Sequence, residues 1–166
     1  MKPGIKDYNY EELLEIFTAM GEREYRVRQL FNWLYEKNVD DFSSMTNFSK
    51  ELRQTLADKY VLSPLTLEDH EISSIDATEK FLFRTGDNHF IESVLIKNDM
   101  SDEGRLTICI SSQIGCQMGC KFCETAKIGF VRNLTTGEIL DQICHVRRIS
   151  GLKNNNIVFM GMGEPF

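Results

Sequence analysis

The spacing of apolar residues changes once along this chain, at Ser63-Pro64, and that change sets what each part can fold into. Before it, apolar side chains recur every three or four positions, as on helices with one buried face; after it they alternate, as on strands half-covered by a core. Two kinds of structure are therefore expected in sequence. Asn9 predicts a helix N-cap with Glu12 three places on, and Leu13, Ile16, Phe17 and Met20 continue the spacing until Gly21. A second helix is expected from Glu24 to Tyr35, with Val27, Leu30, Phe31 and Leu34 on one face and Asn38 capping its end. A third is expected from near Asn47, with Phe48, Leu52 and Leu56 on one stripe. Residues 1–62 read as a small helical accessory domain, a candidate for RNA binding.

Beyond Pro64, alternation predicts strands over Leu65–Ile75, Thr78–Arg84 and His89–Lys97, the last two joined by a Gly86-Asp87-Asn88 hairpin turn. Residues 63–104 thus form an antiparallel ribbon, ending in a polar loop from Asn98 to Gly104. Arg105–Ser111 is the next strand. Thr135-Thr136 caps an amphipathic helix carrying Ile139, Leu140, Ile143, Val146 and Ile149, which Ser150-Gly151 ends. Ile157–Met160 is a short buried strand. Strand, loop, helix and strand make a βαβ unit with a right-handed crossover, so the fold class is α/β and residues 105–166 begin a parallel core. A parallel strand finishing at Phe166 leaves an apolar edge uncovered, so a fragment of a longer protein is expected.

Net charge is −6, but it is uneven: −2 over residues 1–62, −7 over 63–104 and +3 over 105–166. The acidic total argues against non-specific coating of nucleic acid and leaves room for a local basic face. No apolar run reaches the roughly 18 residues of a membrane span, and the N-terminus lacks a signal-peptide core. A cytoplasmic protein with no membrane partner is expected. In a reducing compartment the five cysteines are better read as metal ligands or reactive thiols than as disulfides.

Cys116, Cys120 and Cys123 stand in a CxxxCxxC pattern on the loop GCQMGCKFC, directly after a strand. Three soft thiolates this close can converge on one metal centre. Structural zinc sites and electron-transfer iron-sulfur clusters usually take four protein ligands, so a trio suits a four-iron cluster with one iron left for a small molecule. Zinc remains the alternative, with Cys109, Cys144 or His145 as fourth ligand, although none of these adds a paired spacing. At the end of the next strand, Gly161-Met162-Gly163-Glu164-Pro165 offers bare backbone to a ligand, and its carbonyls with Glu164 could hold an ammonium group. A tight structural turn is the other reading. Both features fall at carboxyl ends of adjacent parallel strands, where α/β folds place ligand sites.

Together CxxxCxFC, GMGEP, the stretch SSQIGCQMGCKFCETAKIGFVRNLT and the helical YRVRQLFNWLY resemble the radical S-adenosylmethionine (SAM) superfamily, and within it the RNA adenine-C2 methyltransferases, the RlmN family. The resemblance covers essentially the whole chain. It implies that the βαβ unit opens a partial (β/α)6 barrel. It implies a [4Fe-4S] cluster on Cys116, Cys120 and Cys123 that chelates SAM, with Phe122 packing near the cofactor and Gly163 and Glu164 at its methionyl end. It implies methylation of C2 of adenosine in 23S rRNA and tRNA through a methyl-cysteine located outside this chain, and an electron donor such as flavodoxin or ferredoxin. Glu92 matches the family's base and Cys109 its resolving cysteine. Partial desolvation among Phe90, Ile91, Val94 and Leu95 would strengthen Glu92 as a base, whereas a solvent-facing carboxylate and an inert buried thiol are the plain structural readings of these two residues.

Arg23, Arg26 and Arg28 with Tyr25, Trp33 and Tyr35 could contact RNA by phosphate pairing and stacking, as could Lys121, Lys127, Arg132, Arg147 and Arg148. A solvated helix face with aromatic core residues is the alternative for the first group. Competing functions are adenine-C8 methylation within the same superfamily, and a non-catalytic iron-sulfur or zinc module that binds RNA.

Overall fold

The computed structural model describes residues 2–98, 105–151 and 156–165, apart from the side chains of Asn98 and Arg105. They form two compact units, Met1–Pro64 and Leu65–Phe166. In the first, α1 (Tyr10–Ala19) begins with the expected reciprocal cap: Asn9 Oδ1 accepts from the Glu12 amide at 2.9 Å, and the Glu12 carboxylate accepts from the Asn9 amide at 2.8 Å. Leu13 and Phe17 are buried. α2 (Tyr25–Phe31) runs into a π-helical turn at Asn32–Glu36, where Trp33 and Leu34 are both buried. α3 (Lys50–Lys59) starts later than the spacing predicts. Ser49 is its cap, its Oγ accepting from Leu52 at 3.1 Å, because Asn47 is occupied elsewhere: its Oδ1 accepts from Trp33 Nε1 at 2.6 Å.

That bond corrects one expectation about RNA contact. Trp33 keeps 8% of its surface and carries the Lys37 ammonium 3.5 Å from its ring centre, so it is a core residue rather than a stacking platform. Arg26 likewise turns inward, donating to the Asn47 carbonyl at 2.7 Å and to Gln29 at 2.9 Å. Tyr25, Arg23 and Arg28 remain exposed.

In the second unit β1 (Thr66–Ile72), β2 (Glu79–Arg84), β3 (Phe90–Asn98), β4 (Arg105–Cys109) and β7 (Asn156–Val158) make one sheet in the order β1-β2-β3-β4-β7. The first three pairings are antiparallel and β4–β7 is parallel. The ribbon and the βαβ unit are therefore continuous, with Val94 facing Cys109 and Cys109 facing Val158. A two-stranded sheet pairs β5 (Gln113–Ile114) with β6 (Arg132–Asn133). The hairpin turn forms as expected, with Asn88 at φ 63°. Of the polar loop expected from Asn98 to Gly104, Asn98 ends β3 and the rest lies outside the described residues.

One face of the five-stranded sheet is covered by α5 (Thr136–Ser150), capped by Thr135 and Glu138 and ended by Gly151 in a left-handed conformation. Phe81, Phe83, Ile91, Leu95, Ile108 and Ile110 point into this core with 1% exposure or less. Each contributes about 1.5–3 kcal/mol by leaving water. The opposite face carries Lys80, Leu82, Phe90, Glu92, Val94, Ile96, Thr107 and Cys109 and is open, Phe90 and Ile96 being exposed. No helix among the described residues is long and apolar enough to cross a membrane.

Candidate active site

Register places Glu92 and Cys109 together. Cys109 lies opposite Val94, and Glu92 is two residues along the same strand, so both project from the open face on neighbouring strands. Diagonal partners of this kind stand about 7–8 Å apart. Burial pushes the Cys109 thiol above its ordinary value, although the Met160 amide donates to it and draws it partly back. The desolvation expected at Glu92 is not found: its side chain keeps 50% exposure, and Lys80 Nζ stands 3.8 Å from its Oε1. The strand's alternation sends Ile91 to the core and Glu92 to the open face.

The cysteine loop leaves β5 and enters α4 (Glu124–Ile128), with Cys123 at the helix start. The Ala126 amide, helped by the hydroxyl and amide of Thr125, draws the Cys123 thiol below its ordinary value against the opposing effect of burial. α4 supplies Glu124, Thr125, Lys127 and Ile128 to a cavity of about 440 Å³ whose remaining walls are Leu82, Phe90, Glu92 and Met162. The loop's helix and the candidate base thus line one space. Cys116 and Cys123 are half-buried and Cys120 is exposed, all three as free thiols. Among the described residues no three His, Cys, Asp or Glu side chains are gathered closely enough to hold a metal ion. The donor chemistry nonetheless fits a thiolate-bound cluster: three free thiols on one short loop, one facing backbone amides that favour its anion. Cys144 and His145 fit less well as a zinc completion. Both are on α5, against the other face of the sheet; Cys144 is buried, and His145 meets the Phe83 ring and stands 3.5 Å from the Asp141 carboxylate. Phe122 is 91% exposed.

The GMGEP turn is packed against its own chain. A Cβ on Gly161 would stand 2.7 Å from the Ile110 carbonyl oxygen, and one on Gly163 (φ 106°) 2.7 Å from Gln113 and from Ser112 Oγ. Gly161 therefore admits neighbouring backbone, and Gly163 the side chains of Gln113 and Ser112, in the first place. Gln113, which the spacing argument does not single out, clamps Glu164 by its main chain: the Glu164 amide donates to Gln113 Oε1 at 3.1 Å, and Gln113 Nε2 donates to the Glu164 carbonyl at 3.4 Å. The Glu164 residue stays exposed.

Gln142 is the other residue that sequence reasoning misses. Wholly buried on α5, it accepts from the Ser111 amide and from Ser93 Oγ, both at 2.8 Å, and donates to the Ser111 carbonyl at 2.9 Å. It stands in for a strand partner where β4 ends, just ahead of the cysteine loop. Its signal was available only as a polar residue one step from Ile143 on an apolar helix face.

Residues 4–62 match the family described as the ribosomal RNA large subunit methyltransferase N-terminal domain. The chain is 47% identical over 161 residues to a probable dual-specificity RNA methyltransferase RlmN of Thermosipho melanesiensis, covering 97% of this chain and 46% of that protein. It is 45% identical over 169 residues to the dual-specificity RNA methyltransferase RlmN of Nautilia profundicola, covering 96% and 47%. A solved radical SAM methyltransferase from Sphaerobacter thermophilus superposes with a TM-score of 0.88 at 41% identity, over 99% of this chain and 48% of that one. The chain spans somewhat under half the length of these relatives. By sequence and by fold the chain is similar to the RlmN methyltransferases over somewhat under half of their length.

Proposed function

We propose that this chain is the cluster-bearing half of a radical SAM enzyme that methylates C2 of adenosine in 23S rRNA and tRNA. The observation that carries the reading is the shared open face: Glu92 and Cys109 project from neighbouring strands there, and the helix that follows the three thiols walls a cavity that Glu92 also lines. Cys116, Cys120 and Cys123 would hold a [4Fe-4S] cluster, whose chemistry is one-electron cleavage of SAM. The exposed ring of Phe122 is available to cover that cofactor, and Gln113 fixes the main chain at Glu164, which with Gly163 is proposed for its methionyl end.

The chain's own part in the chemistry is acid-base and thiol work. With its pKa raised by burial, Cys109 is a neutral thiol at pH 7, so using it to resolve a covalent RNA–protein adduct requires loss of its proton. Glu92, half-exposed with Lys80 Nζ at 3.8 Å and diagonal to Cys109, is the carboxylate we assign as the base. The methyl-carrying cysteine is proposed to lie in the part of the protein beyond this chain. An electron donor such as flavodoxin or ferredoxin, a cytoplasmic location and a flipped-out adenine complete the proposal. The test is mass spectrometry of 23S rRNA and tRNA treated with the intact protein, SAM and a reductant without oxygen. 2-Methyladenosine is expected; 8-methyladenosine would move the reading to the related C8 enzymes, and no methylated adenosine would defeat it.

A further inference from the structure

We infer that Arg132 is a positioning residue that locks the neck of the cysteine loop to the strands below it, holding the three thiols in register with the face that carries Glu92 and Cys109. The two ends of the loop touch. The Val131 amide donates to the Ile114 carbonyl at 2.9 Å, and the Cys116 amide to the Gly129 carbonyl at 3.3 Å. Between these bonds the backbones pass so closely that a Cβ on Gly115 would stand 1.5 Å from the Gly129 oxygen.

Arg132 is the next residue after this neck. Its guanidinium makes two forked pairs: Nε and Nη2 donate to Asp87 at 2.8 and 2.9 Å, while Nη1 and Nη2 each donate to Glu138 at 2.8 Å. Asp87 lies in the turn between β2 and β3, and Glu138 is 5% exposed in the first turn of α5. One side chain therefore joins the returning end of the loop to the hairpin that carries Glu92 and to the helix beneath the sheet. The planar fork is what permits both pairs at once; a lysine has the charge without the geometry. The span it anchors has little packing of its own: Met118 and Phe122 are exposed, as are Gly119, Cys120 and Lys121. Its placement is therefore set at the neck, and errors of about 1 Å in placement are costly where groups must meet.

The test is hydrogen exchange on the intact protein carrying Arg132→Lys, together with iron retained per chain after anaerobic loading. The iron measurement rests on the cluster reading above, whereas the exchange measurement does not. Exchange at the Cys116 and Val131 amides should quicken about tenfold, the ratio expected when one charge-assisted hydrogen bond is lost, while Ile108 and Ile110 in the sheet stay within about twofold. Iron retention should fall by about half or more. Unchanged exchange at the neck would overturn the proposal, and so would equal quickening throughout the sheet, since Arg132 would then only stabilise the unit. Asp87→Asn, which removes the charge from one fork alone, should give the same local pattern more weakly and decides the matter if Arg132→Lys fails to fold. If the wild-type protein takes up no iron, the cluster reading fails while the exchange comparison still judges Arg132.

Discussion

Gly115→Ala is the substitution whose cost the structure fixes most closely. Gly115 has φ 71°, so any Cβ there meets the left-handed penalty of about 1–2 kcal/mol. The new methyl would also stand 1.5 Å from the Gly129 carbonyl oxygen, against ordinary contact distances of about 3.5 Å, so that carbonyl must retreat by about 2 Å. The Cys116–Gly129 hydrogen bond, already 3.3 Å long, cannot survive that shift, which adds about 1 kcal/mol. The expected loss is about 2–3 kcal/mol. Gly119 supplies the control, since it has φ 65° and nothing within 4 Å of its would-be Cβ, so Gly119→Ala should lose only the backbone penalty. Urea denaturation of both variants, read from the midpoint at constant slope, measures the difference. Equal midpoints would mean that the neck is not closed as described, and the reasoning would fail.

Other consequences can be measured on the same protein. Gln142→Leu should cost about 3 kcal/mol by urea denaturation, because it strands both main-chain groups of Ser111 in the core; a loss under about 1 kcal/mol would mean that water or another group replaces it. Burial works to raise the Glu79 carboxyl, but Lys97 at 2.6 Å and His70 at 2.8 Å outweigh it and hold the group below its ordinary value. A depressed carboxyl contributes stability that is complete above the unfolded value, about 4.3, and is lost as pH falls through the folded value. Glu79→Gln should accordingly lower stability at pH 7 by about 2 kcal/mol, the scale of a charge-assisted hydrogen bond, and flatten its dependence on pH below about 4, as denaturation midpoints across that range will record. Cys109, with its thiol raised by burial, should react with iodoacetamide more slowly than a free thiol at pH 8 and gain rate as the pH rises past 9; reaction at the free-thiol rate at pH 8 would contradict its burial.

Much of the architecture was legible because its causes are local. The Asn9–Glu12 cap and the Gly86-Asp87-Asn88 turn each follow from a few adjacent residues, and each formed; β4, α5 and β7 formed as well, but the last strand, expected to be buried over Ile157–Met160, is Asn156–Val158 with Ile157 46% exposed. The start of α3 was misread because Asn47 and Ser49 can both cap a helix; the choice fell to Trp33, fourteen residues earlier in the chain, which claims the Asn47 side chain. Alternation in β3 told that Glu92 and Ile91 face opposite ways but not which side α5 would cover, so the expected desolvation of Glu92 was assigned to the wrong face. The spacing of Cys116, Cys120 and Cys123 identified the loop. It could not disclose what holds that loop, because Arg132 finds Asp87 across forty-five positions and Gln142 finds Ser111 across thirty-one.

The account stands most directly on the metal content of the cysteine loop. Anaerobic loading of the intact protein with iron and sulfide should give four irons per chain and a [4Fe-4S] spectrum that perturbs on adding SAM. Replacing any one of Cys116, Cys120 or Cys123 by Ala should abolish it, and Cys109→Ala should leave it intact. One tightly held zinc per chain, or a cluster with a fourth side chain on its last iron and no response to SAM, would contradict the account.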